Sequence, residues 1–152
     1  MEIERGEEIL HEYVIHWIRR EFAHHYFYKS DILYRFIKEY ENNLNRDDLK
    51  KQYEYVTNDF SKSSIIRCIR QFIKNKGSIT VNGNHLFLMD SHTSIDLHVF
   101  EKQIYLKCEN LIDAEELLFP ALRTLQPYLF ITGVNLDNYG WMDSPWSVQR
   151  IL

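Results

Sequence analysis

The chain has 152 residues, 45% of them apolar and 26% charged, a balance that suits one globular domain and excludes a disordered or low-complexity chain. Its 18 basic and 22 acidic residues leave a formal charge of −4, without the positive balance that nucleic-acid binders use to hold phosphate backbones. Two isolated cysteines, Cys68 and Cys108, form no C-x-x-C pair and read as buried thiols in a reducing compartment.

The start of the chain, "MEIERGEEIL", is acidic where a signal peptide would be basic and then apolar, and no apolar run reaches membrane-spanning length. A cytoplasmic location without membrane contact is expected, with residues 1–10 as a flexible extension and 11–152 as one domain. "HEYVIHWI" alternates β-branched and aromatic residues on both faces, which predicts a central strand. From Arg20 to about Tyr40 the period becomes helical. With Phe22 as origin, Leu33, Tyr26, Ile37, Ala23, Tyr34 and Phe27 spread over an arc of roughly 140°, wider than the stripe of about 100° that one core-facing helix needs. That wheel assigns Ala23, Phe27, Tyr34 and Ile37 to the core and sends His24 and Tyr28 to solvent. Ser30 and Asp31 could also cap a second helix and divide the segment at Lys29.

Asn45 is read as the N-cap of a helix in "NRDDLKKQYEYVTNDF", and Ile65, Ile66, Ile69, Phe72 and Ile73 form the stripe of another, with Gly77 as its stop. Strand signals follow. Asn82-Gly83 marks a hairpin turn, and Ile95, Leu97 and Val99 begin a second pair around Glu101–Lys102. A helix starting near Asn110 or Asp113 carries Pro120 inside it, which should kink or divide it before Pro127 ends it. A last strand runs into an aromatic turn, Tyr139 to Trp141. The expectation is a single α/β domain: a mostly antiparallel five-stranded sheet packed with about four helices.

Chemistry finds little support. His24 and His25 are adjacent on a helix, where ligands to one metal prefer i, i+3 or i, i+4 spacing. There is no nucleophile elbow and no glycine-rich phosphate loop, and the acid pairs at 47–48 and 115–116 lie where they complement helix dipoles. No cofactor, metal or catalytic residue is predicted. An enzyme reading would be a small hydrolase or transferase built on His16, His98 and the Tyr139–Trp141 turn. The positive signal is aromatic: ten Tyr, nine Phe and three Trp exceed what a small core needs, and such rings dominate protein interfaces.

"REFAHHYFYKSDILYRFIKEY" after the strand "HEYVIHWI", together with "NLDNYGWMDS" near the end, resembles the sporulation inhibitor of replication family, SirA, over roughly residues 12–144. The resemblance implies a non-enzymatic, monomeric protein that binds domain I of the replication initiator DnaA, reaches the origin through it and holds back initiation during sporulation. It further implies that Phe22 and Tyr26 contact the partner, with Gln52 and Tyr55 matching a Gln and Tyr of the next helical segment. His25 is expected at the rim and Trp141 among the partner-binding residues. Departures from the family pattern are the N-terminal extension, a shorter stretch between about 41 and 65, His24 in place of a small amide and Ser144 in place of proline.

Overall fold

Residues 10–142 are described by a computed structural model. The expected extension, apart from Leu10, and Ser144 lie outside the described residues.

The β-branched alternation at the start forms β1 (His11–Trp17), which becomes the centre of a sheet because both its faces are apolar. Four helices follow: α1 (Arg20–Tyr26), α2 (Ser30–Glu41), α3 (Asp47–Val56) and α4 (Lys62–Ile73). Two hairpins come next, β2 (Ser78–Asn82) with β3 (His85–Met89), then β4 (Ser94–Val99) with β5 (Ile104–Cys108). Helices α5 (Leu111–Leu117) and α6 (Phe119–Leu125) lead to β6 (Leu129–Gly133) and the short β7 (Tyr139–Trp141). The strands form one antiparallel sheet in the order β2-β3-β4-β5-β1-β6-β7.

Because successive strand residues face opposite sides, β1 serves two cores. Tyr13 and Ile15 enter the larger one, where Ile65, Ile69 and Ile73 of α4 pack with α5 and α6 over most of the sheet. On the opposite face a second core joins Ala23, Leu33, Ile37, Tyr53 and Val56 of α1–α3 to Phe130 and Trp141. Helices α1–α3 pack on that face over β6 and β7 through Phe130 and Trp141.

The aromatic surplus is largely spent in this second layer. Tyr40 stacks on Tyr53 at 4.2 Å, Tyr34 on Tyr139 at 4.2 Å, and Phe130 meets Trp141 edge-on at 4.9 Å. Offset and edge-on ring pairs of this kind add to the stabilisation from burial alone. Lys38 of α2 reaches across to donate to the Gly133 carbonyl at 2.7 Å, fixing α2 over β6.

The expected five strands and four helices are corrected to seven and six among the described residues. Both hairpins, β1 and β6 all share one sheet, and the segment read as an aromatic turn pairs with β6 as β7. Three residues are too few for alternation to reveal a strand. Each of the two long helical segments is divided. Between α5 and α6, Pro120 occupies the first turn of the second piece, where its missing N–H costs nothing. At Phe27–Lys29 the first segment breaks before Ser30, so Ser30 begins α2 and does not cap it. The break resets the helical phase, and Phe27, assigned to the core on a continuous wheel, is 40% exposed.

Smaller expectations shift as well. Arg46, and not Asn45, holds the N-cap of α3, whereas Asn110 accepts from the Asp113 N–H as the cap of α5. The hairpin turn centres on Gly83–Asn84, with Gly83 at φ +64, one residue beyond Asn82-Gly83. Gly77 is a close-approach residue: a Cβ there would collide with the backbone carbonyl of Met89. Gly77→Ala is therefore expected to destabilise by about 1–3 kcal/mol through forced backbone displacement. Urea unfolding of the variant checks this, and an unchanged midpoint would contradict it.

Candidate protein-binding face

The chain leaves β1 into α1 beside the end of α3, and backbone hydrogen bonds stitch the two together. Ile18 bridges Thr57, Arg19 N–H donates to the Val56 carbonyl at 2.8 Å, and Asn58 N–H donates to the Trp17 carbonyl at 2.8 Å. Lys102 secures the C-terminus of α3 from below, donating to the carbonyls of Thr57 at 3.1 Å and Glu54 at 3.3 Å while pairing with Asp59 at 2.6 Å. A cation suits the negative end of a helix. Lys102 also holds the Asp59 carboxyl below the usual carboxylate range.

The stitching sets the first turn of α1 against the last turn of α3. Phe22 meets the Tyr55 ring edge-on at 5.4 Å, and the Arg19 guanidinium lies 5.3 Å from the centre of the same ring. Tyr26 sits one turn beyond Phe22 with its ring edge-on to His25 at 4.7 Å. Gln52 lies one turn before Tyr55 on the exposed side of α3. Phe22 and Tyr26 are half-buried against the second core, whereas Tyr55 is 62% exposed. The face thus has rigid aromatic bases and an accessible ring at its centre.

Five of the six residues expected at a partner surface, Phe22, His25, Tyr26, Gln52 and Tyr55, therefore belong to two adjoining helices of one layer. Trp141 is placed differently. It is 8% exposed, stacked under Phe27 at 6.0 Å and wedged against Phe130. Tyr28, beside Phe27, is 92% exposed, and His24 bonds the Tyr128 hydroxyl at 3.1 Å. Sequence reasoning missed Arg19, because nothing in "WIRREF" distinguishes it from Arg20. Only the neighbouring end of α3 does.

Directly beneath α3 is a closed polar network. His16, fully buried on β1, hydrogen-bonds the Tyr53 hydroxyl through Nδ1 at 2.6 Å and Thr132 Oγ1 through Nε2 at 3.2 Å, one ring nitrogen donating and the other accepting. Gln103 donates to the Tyr53 oxygen at 3.3 Å, and the Lys102 carbonyl lies 3.4 Å from that hydroxyl as a second acceptor. Burial, with a smaller contribution from Lys38, pushes the His16 pKa down to about 3, so the ring is neutral. Burial likewise raises the Tyr53 phenol well above its ordinary value.

The residues of the enzyme reading are not assembled. His16 is sealed under α3, while His98 is exposed on β4, stacked on His85 at 4.6 Å. His85 is paired with Asp96 at 2.5 Å beside a cleft of about 400 Å³ lined by Glu12, Tyr105 and Lys107. The Tyr139–Trp141 strand is at the far edge of the sheet. No group of three or more His, Cys, Asp or Glu side chains among the described residues is arranged to hold a metal. Cys108 is buried, its thiol pushed up to about 12 by burial and by Asp113, and Cys68 is half-buried.

The sequence pattern of the family described as sporulation inhibitor of replication protein SirA matches residues 11–146. The chain belongs to the SirA family. The match begins at the first residue of β1 and runs through every helix and strand, so the family character resides in the whole domain. SirA is a regulatory family whose role is inhibition of replication in sporulation, and in this SirA fold the α1–α3 layer exposes Tyr28 and Tyr55, the two most accessible rings among the described residues. A search of curated proteins gave no match to the chain. No helix among the described residues is long and apolar enough to cross a membrane.

Proposed function

We propose that this SirA-family chain restrains initiation of chromosomal replication by binding domain I of the initiator DnaA and occluding the surface through which that domain meets other initiation factors. The observation that carries the reading is the Phe22–Tyr55 contact at 5.4 Å, which joins two segments far apart in sequence into one aromatic face. Aromatic anchors on preformed helices suit a groove on another small domain, and rigid rings lose little entropy on binding. His25 and Gln52 supply polar contacts around Phe22, Tyr26 and Tyr55, while Trp141 acts from beneath by holding Phe27. Inhibition by occlusion needs no cofactor and no turnover.

The test is titration of purified protein with isolated DnaA domain I by calorimetry. Saturable binding in a one-to-one ratio is expected, together with loss of the domain's self-association or factor binding in competition. Absence of heat and of co-elution at high concentration would discard the reading.

A further inference from the structure

The aromatic face holds a charge that has no ion-pair partner among the described residues. Arg19 is half-buried, its guanidinium over the Tyr55 ring at 5.3 Å. Its Nε–H is buried and meets no acceptor among the described residues, and no carboxylate among them pairs with the guanidinium. The nearest acid in effect is Asp59, whose carboxyl feels Arg19 weakly but is engaged by Lys102 at 2.6 Å. Backbone geometry holds Arg19 in place, since its N–H is bonded to Val56 at 2.8 Å.

A partner seated on Phe22, Tyr26 and Tyr55 would cover the remaining exposed edge of this guanidinium. Burying a charge without an opposite charge is strongly unfavourable, whereas a guanidinium stacked on a ring and forked onto a carboxylate is among the strongest polar contacts proteins make. We propose that Arg19 is the ionic anchor of the face, and that the partner presents a carboxylate to it between the rings of Phe22 and Tyr55. The inference rests on the DnaA domain I reading and deepens it: the partner surface is an apolar groove with an acidic residue at its centre, and Arg19 selects for it.

The experiment compares wild type, Arg19→Met and Arg19→Lys for binding to DnaA domain I between about 50 and 500 mM salt. Methionine keeps the apolar stem against Tyr55 and removes the charge. Arg19→Met is expected to bind about tenfold or more weakly with a flattened salt dependence, as for loss of an interface arginine. Arg19→Lys keeps a charge but not the fork, so intermediate affinity with salt dependence retained is expected. Arg19→Met binding like wild type, or weakened with an unchanged salt slope, overturns the inference while leaving the DnaA reading intact. Wild-type protein that fails to bind at any salt overturns the DnaA reading, and this inference falls with it. Thermal unfolding of each variant separates lost binding from lost fold. If Arg19→Met unfolds, unchanged affinity of Arg19→Lys overturns the inference by itself.

Discussion

Tyr55→Ala is expected to weaken binding to DnaA domain I by about 30-fold or more, corresponding to the roughly 2 kcal/mol that separates hot-spot rings from bystanders. Its ring is 62% exposed, so the free protein loses little buried area when it is truncated, and the thermal midpoint should move by no more than about 2 °C. Phe22→Ala is expected to cost at least as much in affinity, but less cleanly. Phe22 supports Tyr55 edge-on and is half-buried on the second core, so truncation also removes packing. Calorimetry and unfolding on both variants distinguish the effects. A Tyr55→Ala variant that binds at wild-type affinity would remove α3 from the face. The two variants are within one contact, so their double mutant should cost less than the sum of the singles.

The second large effect is on stability, and it comes from the polar network under α3. His16→Ala leaves the Tyr53 hydroxyl and Thr132 without their shared partner and opens a cavity between sheet and helix. A loss of about 3 kcal/mol is expected from the unmet hydrogen bonds and the cavity together. The pH dependence has a defined sign. The unfolded chain protonates His16 near pH 6.5, whereas the folded protein resists protonation down to about 3. The unfolded state therefore binds the extra proton between those values, and the stabilisation, fully present above about pH 6.5, is lost as pH falls, by about 1.4 kcal/mol per unit. His16→Gln, which cannot titrate, should unfold with a shallower slope than wild type across this window. Parallel profiles for the two proteins in urea melts from pH 7 to about 4 would show that His16 is not the source. Because Tyr53 is two residues from Tyr55 on α3, acid loosening of this network should also weaken the binding face, with affinity falling alongside stability.

The outcome for the histidines illustrates a general separation. Seven imidazoles suggested either chemistry or none, and periodicity alone could not tell a sealed structural histidine from an exposed one. His16 is the most constrained because β1 is covered on both faces, a consequence of strand order. His98, on a strand with an equally clear pattern, is exposed, with His85 and Phe100 as its ring neighbours and no aromatic helix side chain against it among the described residues.

Local sequence by itself determined the central β1, the α4 stripe, both hairpins, the division at Pro120 and the single α/β domain, since each depends on side-chain period or on one backbone restriction. It also placed Phe22 and Tyr26 as neighbours on one turn, because that follows from helical pitch. The tertiary structure decided the rest. The sequence allowed a split at Lys29, but a wheel drawn through it could not place Phe27, which stacks on Trp141 and stays 40% exposed. The strand at Tyr139–Trp141 exists because β6 offers it an edge, and that pairing places Trp141 in the core, where the sequence showed only an aromatic turn. Above all, the meeting of Phe22, Arg19 and Tyr55 comes from backbone bonds between Ile18–Arg19 and Val56–Thr57, contacts some 37 residues apart that no local propensity encodes.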